Sequence, residues 1–320
     1  MPVPTTCRGA HRPRMLRPYS PVTKECPVSR EMIALKSDVL RGLRNTLHEQ
    51  GFVEVVTPTI RRADLGPGRR LTVGLDEGRF LRAMIGPALR VNLEHHPRVF
   101  EIGPCYRPEE PDELHASEFG MLDLYAADET FEFLIALIEQ LVGPHIPFIP
   151  RRLSVAGYIR DVFGIDLRDE PLGDLPWKMA AHMQLSADTP FKVVLGRFIE
   201  AEVEVQSAGA ALFLTDYPLG GDEPCARLTP GTTAVLNRTE LLVDGIEVAH
   251  GYEDEPDGPA FVERARAVNL YDDEQALARA AIDAGRVPAH SVGLGIGIER
   301  LCMAASGTKD IGRFQQSSQF

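Results

Sequence analysis

The stretch Phe100–Tyr125 reads FEIGPCYRPEEPDELHASEFGMLDLY. It starts with strand character, because Phe100 and Ile102 alternate with polar or small neighbours. It then opens into a loop crowded with charge and proline and returns as a second strand. In a regular strand Phe119, Met121 and Asp123 face one way, and Leu122 and Leu124 the other. The spacing predicts a hairpin with Arg107 at its start, Glu109 in its loop, and His115, Glu118 and Phe119 where the chain returns. Such a set suits a nucleotide. A guanidinium neutralises a phosphate through paired hydrogen bonds, a carboxylate accepts from an adenine amino group, and a ring stacks on the base. The same residues also fit a surface hairpin with ordinary charges, so this stretch needs a second signal.

That signal lies at Ser291–Ser306, SVGLGIGIERLCMAAS. Gly293, Gly295 and Gly297 alternate with Leu294, Ile296 and Ile298, and Glu299 and Arg300 then open an apolar helical run. Glycines at every second strand position leave one face bare, so a flat ligand can approach the backbone. Arg300 sits at the strand-to-helix junction, directed at that face. The GxGxxG spacing of a dinucleotide fingerprint is absent.

Together the two stretches resemble the class II aminoacyl-tRNA synthetases. The hairpin is similar to their motif 2 and GLGIGIER to their motif 3, while GFVEVVTPTI, with Pro58, is similar to motif 1, the dimer-interface element. The resemblance covers roughly residues 31 to 320. FEIGPCYR and LRAMIGPALR are close to pyrrolysyl-tRNA synthetase. TELLVDGIEVAHGYEDEPD and the GLGIGIERL run look more like lysyl-tRNA synthetase and its stand-alone relative, the elongation factor P lysine ligase. The resemblance implies an α+β fold, a class II synthetase core with an antiparallel sheet flanked by helices. It also implies a homodimer.

Composition agrees with one large core. Apolar residues make up 44% and charged residues 25%, as in an ordinary cytoplasmic enzyme, and no apolar run approaches a membrane span. The five cysteines form no CxxC pair, which points away from a disulfide framework or a zinc site. The net charge of −12 disfavours a large polyanion as the main partner. Residues 1–30 carry Arg8, Arg12, Arg14 and Arg17 against one acid, Glu25, and read as a flexible basic arm. Thirty residues cannot hold the anticodon-binding barrel that lysyl enzymes place there. Ser29 is positioned to cap a helix over about 30–50, with Leu35, Val39, Leu43 and Leu47 on one face. Gly51 ends it, and Phe52–Thr57 alternate as a strand. A helical insertion is expected over about 128–205, and a further helix over 272–286.

The resemblance also implies roles. Arg107 holds the α-phosphate of ATP and the substrate carboxylate. Arg300 and His115 hold the outer phosphates, and Glu109 and Phe119 hold adenine. Glu240 and Glu247, flanking a turn at Asp244–Gly245, bind Mg²⁺; hard carboxylate oxygens suit that ion. The amino-acid pocket is expected from Met84, Ala88, Arg90, Asp123, Tyr125, His250, Asp254 and Gly295. Ala88 stands where lysyl enzymes carry a Glu, and Arg90 where both families carry a Tyr. Arg90 either anchors a carboxylate on the substrate or pairs with Asp123. Asp123 and Asp254 each replace a Glu directed at the side-chain amine, which suggests a cationic substrate end in an altered pocket. His250 replaces an Asn.

These features point to an ATP-dependent ligase that makes an aminoacyl-adenylate from a lysine-like or other non-standard amino acid. For the acceptor, a protein, a carrier protein or a small amine is favoured over tRNA. A minimal pyrrolysyl-type tRNA ligase and a non-catalytic paralogue that binds amino acid or tRNA are the alternatives.

Overall fold

The computed structural model describes residues 28–62, 72–76, 78–221, 225–267 and 273–315. All but the last three residues of the expected basic arm lie outside this set. Eight strands form the main sheet: β1 (Val53–Glu54), β2 (Arg98–Tyr106), β3 (Glu118–Ala127), β4 (Arg151–Ser154), β5 (Ala211–Thr215), β6 (Arg238–Val243), β7 (Ile246–Glu253) and β8 (Ser291–Gly297). Their order is β1-β2-β3-β8-β7-β6-β5-β4. The two outermost pairs, β1 with β2 and β4 with β5, are parallel, and the pairs between them are antiparallel. Helices flank the sheet, so the α+β class expected from the motifs is the one observed.

The helix α1 (Arg30–Glu49) starts where the Met32 N–H donates to Ser29 Oγ at 3.3 Å and ends before Gly51, whose φ of +78° lies in the left-handed region. Val39, Leu43 and Leu47 are buried on its inner face. The strand expected over Phe52–Thr57 is shorter, because the Thr57 backbone N–H and hydroxyl both donate to Glu101, at 2.9 and 2.7 Å. That side-chain pairing takes the chain out of the ladder just before Pro58.

The principal apolar core lies on one face of the sheet and two smaller ones on the other. Phe100, Leu122, Leu124, Leu294 and Ile296 join Phe213, Leu241 and Val243 in the principal core, with α3 (Phe131–Val142) and α9 (Ile298–Ser306) packed on it. Leu212, Leu214 and Leu242 alternate with those residues and face a second core. Helices α4 (Val155–Phe163), α5 (Leu175–His182) and α6 (Phe191–Phe198) cover it. The helix α3 therefore belongs with the principal core, and the separately packed helices begin at Val155. The helix α2 (Gly86–Asn92) meets α8 (Asp273–Asp283) beside β2 and β3, and α7 (Gly258–Ala267) follows β7.

Candidate active site

A cavity of about 950 Å³ opens on the sheet face opposite the principal core. The period-two alternation of β3 places Phe119, Met121, Asp123 and Tyr125 along it while Leu122 and Leu124 stay buried behind. The β2–β3 hairpin is in register from Arg98 opposite Ala126 to Tyr106 opposite Glu118, which carries Arg107 and Phe119 to the same end. There the Arg107 guanidinium lies over the Phe119 ring, 4.9 Å from its centroid. Glu109 and His115 line the same end, with His115 Nδ1 held 2.9 Å from Asp112.

Gly293, Gly295 and Gly297 line the cavity as the expected bare face, and two of them also make room for a neighbouring strand. A Cβ on Gly293 would meet the Tyr125 ring at 2.9 Å, and one on Gly295 would meet Asp123 Oδ1 at 2.9 Å. The missing side chains on β8 thus make room for those of β3, its neighbour. A Cβ on Gly297 would make only an ordinary contact with the Arg300 side chain, at 3.5 Å.

The turn at Asp244–Gly245 has positive φ at both residues, 48° and 80°, as a two-residue hairpin requires. Its register contains a feature invisible in the spacing. Glu240 pairs with His250 and Leu241 with Ala249, but Leu242 pairs with Glu247. Val248 is the extra residue of a β-bulge, and it turns Glu247 onto the face of Glu240 and His250. One ligand atom from each of these three residues lies within 4.8 Å of the others. Glu240 accepts from Tyr217 Oη and Arg238 Nη2, both at 2.6 Å, and Glu247 pairs with Arg300 Nη1 at 3.1 Å. Burial, and then Glu240 and Glu247, push the nearby Glu204 carboxyl up to about 7. Two carboxylates and an imidazole that converge in this way could hold a divalent cation between them.

The other end of the cavity is built around Arg90 and Asp123. Asp123 Oδ2 accepts the Ile85 and Gly86 N–H groups, at 2.9 and 3.0 Å, and so holds the start of α2. Burial pushes this carboxyl up to about 6 in spite of those donors. Arg90 does not pair with Asp123; its Nη1 lies 3.2 Å from Asp254 Oδ1. The register of β2 and β3 commits Asp123 to the α2 backbone, and α2 turns Arg90 toward the end of β7. Tyr125 and Tyr252 approach hydroxyl to hydroxyl at 3.0 Å.

Of the residues singled out from the sequence, Met84, Arg90, Arg107, Glu109, His115, Phe119, Asp123, Tyr125, Glu247, His250, Gly295 and Arg300 line this one cavity. Ala88, Asp254 and Glu240 do not line it. Asp254 is wholly buried behind Arg90, and Glu240 sits behind Arg238 and Tyr217. Sequence reasoning missed Tyr252 and Lys192, which line the cavity, and Tyr217 and Arg238, which donate to Glu240. Tyr252 was recoverable, since it follows His250 by two in the same strand. Glu299 was also missed: it accepts from Lys36 Nζ at 2.8 Å and the Gly120 N–H at 2.9 Å, tying α9 to α1 and β3.

A family model for tRNA synthetases class II (D, K and N) matches residues 18–315. The chain belongs to this family. Within it, the lysine–tRNA ligase of Helicobacter hepaticus is 28% identical over 88% of this chain and 60% of its own length. That of Kineococcus radiotolerans is 30% identical over 87% of this chain and 62% of its own. That of Edwardsiella ictaluri is 28% identical over 88% and 62%. The chain thus spans about three fifths of the length of these class II relatives. Among the described residues, no helix is long and apolar enough to cross a membrane.

Proposed function

We propose that the protein activates the carboxylate of an amino acid as an acyl-adenylate and passes the acyl group to an amine of a protein, a carrier protein or a small molecule, the bond from the acyl carbon to the AMP oxygen breaking and AMP leaving. The observation that carries the activation step is the Arg107 guanidinium stacked on Phe119 in the cavity that Arg300 and Glu247 also line. A substrate carboxylate oxygen attacks the α-phosphorus of ATP, and the bond from that phosphorus to the pyrophosphate oxygen breaks. No covalent nucleophile on the protein is needed. The work is alignment of two anions and neutralisation of the charge that gathers in the transition state. Arg107 holds the α-phosphate and the attacking carboxylate. Arg300 and His115 hold the outer phosphates. Phe119 stacks on adenine with the face that Arg107 leaves open, and Glu109 accepts from the adenine amino group. Glu240 and Glu247 would hold Mg²⁺, which when bound offsets the negative charge of the phosphates.

The net charge of −12 supports an acceptor other than a long polyanion. A second reading, transfer to a tRNA, is favoured by the names of the three relatives. The proposal includes a homodimer through α1, β1 and the segment after it, where Ile33, Val53, Val56 and Ile60 are exposed; sedimentation at a mass of two chains is the expected result.

The deciding experiment is ATP–pyrophosphate exchange across a panel of amino acids. Exchange with one of them, lost at least a hundredfold in Arg107→Ala, is expected. An Arg107→Ala protein that exchanges at the parental rate overturns the assignment. Incubation of the labelled adenylate with tRNA, with protein or with small amines then separates the two acceptors.

A further inference from the structure

The end of the cavity away from Arg107 holds an arrangement that the activation chemistry does not use. Arg90 is 8% exposed and lines the cavity. Its Nη1 is paired with Asp254, but its Nε and Nη2 are buried without an acceptor among the described residues. Those two nitrogens share the edge of the guanidinium that presents parallel N–H groups. Asp254 is 0% exposed, and its Oδ2 accepts from the Ser291 hydroxyl. Tyr125 and Tyr252 border the same end.

We propose that this end of the cavity selects an amino acid whose side chain ends in a neutral hydrogen-bond acceptor, an amide or other carbonyl, and that Arg90 is the residue that sets this selection. The proposal rests on the reading that an amino acid is activated in this cavity, and it names the class of that amino acid.

Four kinds of side-chain end can be weighed. A free ammonium meets the Arg90 guanidinium, because Asp254 is sealed behind that residue and Asp123, which lines the same cavity, has its Oδ2 taken by the Ile85 and Gly86 N–H groups. Like charges at a buried site disfavour each other strongly. A carboxylate also offers acceptors for the Arg90 donors, but Arg90 is already neutralised by Asp254, and Asp123 lies in the same cavity. A further anion there has no counter-charge of its own. An apolar end leaves two buried donors unpaired, which is the penalty that lets polar sites reject analogues lacking an acceptor. A carbonyl oxygen has two lone pairs and no charge, so it satisfies both donors and leaves the ion pair in balance. Burial acts against the charge on Arg90, yet Asp254 beside it keeps its pKa above the ordinary value, so the guanidinium stays a cation.

The test is calorimetric titration of the full chain, saturated with a non-hydrolysable ATP analogue, with side chains of two lengths. Glutamine and Nε-acetyl-lysine supply the amide, glutamate and 2-aminoadipate the carboxylate, ornithine and lysine the ammonium, and norleucine the apolar end. The better amide is expected to bind at least tenfold more tightly than any of the others. In Arg90→Met the order is expected to invert, with lysine or ornithine overtaking the amides once Asp254 is uncovered. Tighter binding of lysine, ornithine, a carboxylate or norleucine by the parental protein overturns the proposal, as does equal binding of all or binding of none. These parental titrations stand even where the Arg90 variant fails to fold. Pyrophosphate exchange run on the same panel separates this proposal from the activation reading. Amide binding without exchange upholds the selection and sinks the activation, whereas exchange with lysine above the amides does the reverse.

Discussion

Glu247 Oε2 lies 3.1 Å from Arg300 Nη1, so the carboxylate proposed to hold a cation is neutralised by the guanidinium proposed to hold a phosphate. The two side chains are 42% and 25% exposed, and a pair so open to water contributes no more than about 1 kcal/mol. It can therefore be exchanged for ligand contacts at little cost. Arg300→Ala is expected to lower pyrophosphate exchange by about 10²–10³-fold, while urea denaturation shows a stability change within about 1 kcal/mol. A large loss of stability would make Arg300 a structural residue instead.

The carboxylates around the Val248 bulge lead to a metal prediction. Chelation of divalent ions is expected to abolish exchange, and added Mg²⁺ to restore it. Thermal melting of the parental protein with ATP should rise when Mg²⁺ is added, because any ligand of the folded state alone stabilises it, by about 2.7 kcal/mol at a hundredfold excess over Kd. Glu240→Gln with Glu247→Gln is expected to remove the Mg²⁺-dependent part of that rise and leave the part due to ATP alone.

Arg82 and Glu101 form the most deeply buried ion pair in the described residues, with Nη1 to Oε1 at 2.6 Å and side chains 1% and 3% exposed. Arg82 Nη1 also donates to Thr57 Oγ1 at 3.0 Å, and Nε donates to the Pro104 carbonyl at 2.9 Å. This network ties the segment after β1 to the strand that leads to Arg107. Arg82→Met leaves Glu101 charged and buried, and a loss of about 3–5 kcal/mol is expected by urea denaturation. Arg82→Met with Glu101→Leu should recover much of it, since both charges then leave together.

Asp123 supplies a pH prediction. Burial raises its folded pKa to about 6, against about 3.9 in an unfolded chain. A raised folded pKa means that the folded state binds the proton more readily. Its favourable contribution is complete below about pH 4 and is lost as pH rises through about 6. Asp123→Asn keeps an acceptor for the Ile85 and Gly86 N–H groups and does not titrate. Its stability relative to the parent is expected to climb between about pH 4 and pH 7, by on the order of 2 kcal/mol. A difference that is flat across that range would place the Asp123 pKa at its ordinary value.

Much of the site could be read along the chain because it is local. The β2–β3 hairpin follows from alternation at Phe119, Met121 and Asp123 against Leu122 and Leu124, and the helix α1 from its cap at Ser29 and its apolar stripe. The turn at Asp244–Gly245 follows from residue types that tolerate positive φ. The glycines of β8 were equally visible, but the room they make for a neighbouring strand was not, since the rings and carboxylates that need the space belong to β3, more than 160 residues earlier.

Short-range periodicity therefore specified the strands and the helices, because backbone preference and side-chain alternation act over a few residues. Which charges neutralise one another was decided only when distant elements met. Arg90 pairs with Asp254 rather than Asp123 because Asp123 is taken by the backbone of α2. Glu247 joins Glu240 because one bulged residue changes the face it presents. Ion pairing falls off steeply with distance and with exposure to water, and both are properties of the folded chain alone.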